Sequence, residues 1–505
     1  MLQRNPTLGD IIARRLARRD LLQGLLATAA VVAIAPPAPG ASQGASQGAS
    51  REAPGFDFEE IAHGIDETHH VAKGHRADIL LRWGDPIVAG APEFDPASQT
   101  AAAQSKQFGY NNDYVGFAPI DANRGLLCVN HEYTVPEIMF PGITERQRAK
   151  EVNFAAMTKD LVDIEMAAHG CSIVEIQKGA DGRWFWVPGS KYNRRVTALG
   201  TETRVGGPAA GHQRLRTSAD PAGARIVGTI NNCAGGMTPW GTFLTGEENF
   251  NFYFQGQLRE GHAETANYKR LGVPGNGHAW ARYHDRFDLA KEPNEPNRFG
   301  WIVEIDPFDP AAAPVKRTAL GRFKHEGAET ALARDGRVVV YSGDDERFDY
   351  VYKFVTEGGF NPGDRAANRD LLDRGTLYVA KFNADGSGEW LPLVHGTGPL
   401  TAANGFSDQG DVRRADRGAT RRRSARRDAH GPARGCRAQS AHRQGLHQPH
   451  QQRAPAGEDR EARSARPRAR QSARPERVGP HRRDQQCRRR PWFGAFCVGR
   501  AGALR

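Results

Sequence analysis

The chain has 505 residues and a formal charge of +11. From Arg413 to Arg505 it holds 26 Arg, no Lys and 7 Asp or Glu, a net of +19, so the rest sums to 11 − 19 = −8. The length excludes a single small domain, and the mildly acidic body excludes a nucleic-acid partner recognised through overall basic charge.

At the N-terminus, Arg18-Arg19-Asp20 leads into an apolar run from Leu21 to Ala35 and a small-residue exit. A twin arginine before a modest apolar segment reads as a Tat-type export signal over residues 1–40. The run is about 15 residues, short of the roughly 20 that span a bilayer, so no stable membrane insertion is expected after signal cleavage. The expected partner during export is the Tat translocase, and the expected location is periplasmic or secreted. Residues 41–55, with their Ala-Ser-Gln-Gly repeats, read as a flexible linker.

The body spans 56–412. Its first expected strand is Ala77–Trp83, ended by the turn Gly84-Asp85-Pro86. Phe108–Tyr114 reads as a polar loop rich in oxygen donors. Gly125–Asn130 reads as a buried strand, and the apolar spacing of Phe154, Met157, Leu161, Ile164 and Ala168 predicts a helix over Lys150–His169. Short apolar strands follow: Ser172–Ile176, Trp184–Val187, Arg225–Ile230, Thr242–Thr245, Trp301–Ile305, Arg337–Tyr341, Tyr350–Val355, Thr376–Phe382 and Glu389–Leu393. Gly/Asp turns separate them. Many short strands with few helices predict an all-β sandwich, barrel or propeller, and at this length a propeller.

The densest chemistry lies in Thr229–Phe254, TINNCAGGMTPWGTFLTGEENFNFYF. Gly235 and Gly236 behind Cys233 let the backbone approach whatever the thiol touches. Glu247 and Glu248 follow the expected strand, and alternation sends one carboxylate into a site while its neighbour packs. A thiolate beside carboxylates suits a transition metal such as iron better than calcium alone. The body holds Cys128, Cys171 and Cys233, a sparse, odd set that is no disulfide framework. Other acidic clusters close strands: Asn130-His131-Glu132, Lys324-His325-Glu326 and Ser342-Gly343-Asp344-Asp345. Carboxylates at successive strand ends suit calcium or Fe³⁺. No Walker loop, Gly-x-Ser-x-Gly elbow or His-Glu-x-x-His helix occurs.

Taken together, Arg18-Arg19, ADILLRWGDP, FGYNNDYVGF, NHEYT, NNCAGGMTPWGTFLTGEEN, RFGWIVEIDPFDP, FKHEGAE and YSGDDERFDYVYKFV resemble the PhoX-type alkaline phosphatases, in the family's order. The resemblance implies a six-bladed β-propeller that holds iron and calcium at its centre and releases phosphate from small-molecule phosphoesters. Carried over, Cys233 and Glu326 are expected iron ligands, with Asp345, Glu132 and Glu248 in the calcium–iron cluster. Cys233, Glu326 and Asp345 are the expected catalytic residues. A second reading, from another class, is a non-catalytic calcium-binding propeller that recognises a ligand or partner.

After Gly410-Asp411-Val412 the resemblance stops, and residues 413–505 form an Arg/Ala/Pro/Gln/His-rich tail expected to be disordered. His430–Arg437 can be encoded by codons whose next frame reads Met-Asp-Arg-Pro-Glu-Asp-Val-Glu, the family's missing motif. Pro432 and Arg434 then stand where the family's site arginine and glutamate belong. A frameshift near Val412, an incomplete propeller and an inactive product are the expectations.

Overall fold

The computed structural model describes residues 60–413 apart from Ala384. The expected signal and linker, and the tail from residue 414 on, lie outside the described residues. The chain divides into two units, Met1–Gly74 and His75–Arg505. Of the first, residues 60–74 contain neither helix nor strand, and Asp66 pairs with His70 at 2.8 Å.

The second unit is built of open β-sheets. Sheet 1 runs in the order β1 (Asn112–Pro119), β2 (Arg124–His131), β3 (Gly170–Lys178) and β4 (Trp184–Trp186), with β5 (Arg194–Val196) also paired to β3. Sheet 2 contains β6 (Glu202–Gly206), β7 (Arg225–Val227), β8 (Asn232–Met237), β9 (Phe243–Glu247), β10 (Ile302–Ile305) and β11 (Val315–Arg317). Its order is β7-β6-β11-β10-β9-β8, antiparallel except where β11 meets β6. Sheet 3 is the meander β12 (His325–Leu332), β13 (Arg337–Asp344), β14 (Val351–Gly359), β15 (Gly375–Phe382) and β16 (Gly388–Pro392). The described chain is therefore β-rich, as expected, in sheets that do not close into a barrel.

Alternation along the strands explains the stacking. In β2, Leu126 and Cys128 face sheet 2, meeting Phe243, Val303 and Ile305, while Leu127 and Val129 face the other way. Leu244 and Ile302 of sheet 2 turn to Val340, Phe354 and Leu377 of sheet 3. Sheet 2 is thus sandwiched between the other two. The outer face of sheet 1 is covered by Leu81, Ile87 and Phe108 from the upstream chain. Residues 250–299, between β9 and β10, contribute an aromatic core of Phe250, Tyr253, Tyr268, Trp280, Phe287 and Phe299.

Three local expectations are corrected. Ala77–Trp83 forms no strand; its apolar residues Leu80 and Leu81 instead pack on sheet 1. The helix over Lys150–His169 shortens to α1 (Lys159–Ala168), because Asn153 and Phe154 adopt left-handed backbone at φ 50° and 52° and Thr158 caps the helix start. The Phe108–Tyr114 loop becomes the entry of β1 at Asn112.

Candidate metal centre

Three strands form the sheet edges that come together at one place. They are β1 in sheet 1, β8 in sheet 2 and β12 in sheet 3. Each carries a register shift at its start, between Asn112 and Val115, Asn232 and Gly235, and Glu326 and Glu329. A bulge re-aims a side chain that regular alternation would send elsewhere. Asp113 and Cys233 lie within two of these shifts, while Glu326 is the last paired residue before the third, opposite Gly343.

The partner strand of each pair adds a second acid. Asn112 lies opposite His131, Asn232 opposite Glu247 and His325 opposite Asp344. The next residue in each case is Glu132, Glu248 or Asp345. Their amides donate to the carbonyls of Asn111, Asn231 and Lys324 at 3.0, 3.0 and 3.1 Å. The same backbone device is therefore used three times.

Side-chain ligand atoms of Asp113, Glu132 and Cys233 lie within 4.8 Å of one another, as do those of Cys233, Glu248 and Glu326. Cys233 belongs to both groups, so one sulfur sits among four carboxylates from three sheets. Glu132, Cys233 and Glu248 are buried. The thiol donates to Asp113 Oδ2 at 3.3 Å. Burial, and then the carboxylates of Glu248, Glu132, Asp113 and Glu326, push its pKa well above the ordinary cysteine value. Crowded like charges without water are costly; a cation reverses that cost and favours the thiolate. One soft and several hard donors fit a transition metal with an oxygen-seeking partner.

Glycine makes the approach possible. A Cβ on Gly235 would lie 2.2 Å from Leu244 O, and one on Gly236 would lie 2.1 Å from Ala328 O. Asn130 Nδ2 donates to Cys233 O, and Cys171 Sγ donates to Asn130 Oδ1 at 3.3 Å. Glu247, beside Glu248, faces away: its carboxylate accepts from Lys316 Nζ at 2.7 Å and from the amides of Gly300 and Trp301 at 3.0 and 3.2 Å. The division of labour expected for this acidic pair is the one found.

Of the five residues singled out in the sequence, Glu132, Cys233, Glu248 and Glu326 are brought together. Asp345 is not: it is exposed and outside both groups, although its backbone occupies the position equivalent to Glu132 and Glu248. Asp113 was missed as a site residue. Its signal was the repeated Asn pair, Asn111-Asn112-Asp113 matching Asn231-Asn232-Cys233, with Asn111 and Asn231 both left-handed at φ 53° and 48°.

Comparison with known proteins bears on the whole arrangement. The profile of the alkaline phosphatase PhoX family matches residues 56–438. That match runs past Val412, where the sequence motifs had set the end of the resemblance. A solved structure described as Pseudomonas fluorescens PhoX in complex with vanadate, a transition state analogue, is 44% identical with a TM-score of 0.65. The match covers 71% of this chain and 62% of that one, so this chain spans less than two thirds of that protein. No curated protein matches. A family match over most of the body, joined to a like-folded structure at this identity, makes the chain a member of the PhoX alkaline phosphatase family.

Proposed function

We propose that this chain carries the metal centre of an exported phosphomonoesterase. The observation behind the reading is the convergence of Cys233 with Asp113, Glu132, Glu248 and Glu326 from three sheets. Cys233 and Glu326 would hold iron; Glu132, Glu248 and Asp113 would hold the calcium that shares the cluster. Bound metals supply neutralising charge for phosphate oxygens and Lewis acidity. The protein's own part is to fix the donors: the bulges aim Asp113 and Cys233, regular pairing opposite Gly343 holds Glu326, and the strand-end amides fix Glu132 and Glu248. Asp345, at the third equivalent position, is a further ligand or catalytic residue that needs a shift of its loop to reach the cluster.

The stacking of sheets 1, 2 and 3 with their edge strands at one centre is how blades are arranged about an axis, which supports the six-bladed propeller. The twin-arginine start supports Tat export to the periplasm or beyond. Among the described residues no helix is long and apolar enough to cross a membrane. The lysine-free tail, with Pro432 and Arg434 at the positions of the family's arginine and glutamate, supports a frameshift and an inactive product.

Hydrolysis of p-nitrophenyl phosphate with added calcium and iron, by the chain as it stands and by a version with the restored frame, tests this. The restored protein is expected to turn over and to lose at least about 100-fold with Cys233→Ser, the scale on which ligand-shell changes act. Normal turnover by the present chain refutes the reading of the tail. A restored protein that binds calcium alone and hydrolyses nothing favours the binding module.

A further inference from the structure

A buried polar chain runs from the end of α1 to the backbone of Glu248, and its direction is fixed by chemistry. His169 Nδ1 lies 2.7 Å from Glu165 O. A carbonyl only accepts, so Nδ1 carries the proton. Burial, and then His278 nearby, lower the pKa of His169 to about 3, so its ring is neutral and Nε2 is left as an acceptor. Tyr253 Oη, 2.9 Å from Nε2, therefore gives its one proton to His169. The same oxygen accepts from Asn231 Nδ2 at 3.3 Å. That fixes the amide of Asn231, whose Oδ1 accepts the Asn249 amide at 2.5 Å and whose backbone carbonyl accepts the Glu248 amide at 3.0 Å. With its proton already placed, the hydroxyl at 3.5 Å from Glu132 O makes at most a secondary contact. Tyr253 and His169 are both buried, and the tyrosine ring stacks on His278 at 4.4 Å.

We propose that Tyr253 is a positioning residue: its hydroxyl, held by His169, locks Asn231 in the one orientation that aims Glu248 into the metal centre. This rests on the metal-centre reading above, but part of it is testable without metal. Asn231 sits in left-handed backbone, a conformation with a cost that its surroundings must hold in place. Without the hydroxyl, Asn231 Nδ2 loses its acceptor, and the side chain is held at one end only, by the Asn249 amide on Oδ1.

Two variants separate positioning from packing. Tyr253→Phe removes the hydroxyl and keeps the ring. Trp280→Phe trims the indole that packs 4.5 Å from the same ring and touches neither Asn231 nor Glu248 by hydrogen bond. In the metal-free full chain, Tyr253→Phe is expected to speed amide hydrogen exchange at Glu248 and Asn249 at least about tenfold, while Trp280→Phe leaves those two amides as they were. With Fe³⁺ added alone, Tyr253→Phe is expected to bind about 10- to 100-fold more weakly than the parent, the usual scale for partners behind a ligand. Unchanged exchange at both amides overturns the proposal. So does equal loss of Fe³⁺ affinity in the two variants. If the parent binds no Fe³⁺ while the exchange result holds, the positioning of Glu248 stands, and Fe³⁺ binding by the restored-frame protein decides the metal-centre reading.

Discussion

The two ends of the sheet stack differ in a way that separates packing from function. The outer face of sheet 1 is covered by its own upstream chain: Leu81, Ile87 and Phe108 are buried against Val129, Val174 and Ile176. The outer face of sheet 3 has no such cover among the described residues. Tyr341 is 42% exposed, Phe382 60% and Trp390 37%. On it Lys353 lies over the Trp390 ring at 4.4 Å and the Tyr378 ring at 5.2 Å. A charged amine laid along aromatic faces gives an apolar surface a polar, hydrated outside. Both sheets nonetheless deliver an edge strand to the same centre, so what packs on a sheet's back does not decide where its site residue points.

The largest effect is expected on the covered end. Phe108→Ala removes a fully buried ring that meets His131 edge-on at 4.8 Å. It should cost about 3–5 kcal/mol in chemical denaturation; a loss under about 1 kcal/mol would mean that the upstream segment does not seal sheet 1.

Acid should act next, through His169 in the aromatic core beside Tyr253 and Trp280. His169 is neutral in the fold, with a pKa of about 3 against 6.5 for the free side chain. The unfolded chain takes up a proton below pH 6.5 that the folded chain refuses. Its stabilising contribution is therefore complete above pH 6.5 and lost as pH falls toward 3. The slope approaches about 1.4 kcal/mol per pH unit for this one group. Unfolding titrations of the parent and His169→Gln between pH 7 and 4.5 should differ by about one proton; parallel curves would contradict a buried neutral ring.

The smallest effect is expected on the open end. Lys353→Met leaves the stem and removes the charge over Trp390, and should cost about 0.5–1 kcal/mol. A cost several times larger would show that the outer face of sheet 3 is covered in solution and that the contrast between the two ends is false.

Legibility in the sequence followed the same physics. Strands built of apolar residues were readable: Gly125–Asn130, buried on both faces, lies inside β2, and Thr376–Phe382 inside β15. The three strands that bear the cluster were not. β1, β8 and β12 read as a polar loop, a glycine turn and an acidic cluster, because their first residues face a charged centre, carry bulges and include Gly235, Gly236 and Gly327 in place of alternating apolar residues. Four of the five expected site residues nevertheless come together, since a thiol and acids at strand ends are visible without knowing the strands. Asp113 was hidden by its setting in an asparagine-rich stretch. Asp345 shows the opposite limit: an equivalent backbone position does not bring an exposed side chain to its neighbours.

The threefold reuse of one bulged entry has a further consequence. Asp113, Cys233 and Glu326 differ in length, charge and polarisability, yet each hangs from a strand start beside a bulge, the first two within it and Glu326 directly before it. Identity at any one of these sockets can therefore drift while the architecture stays put. Exchanging the lone sulfur for a carboxylate would turn a mixed cage into an all-oxygen one, shifting preference toward harder ions without asking any strand to move.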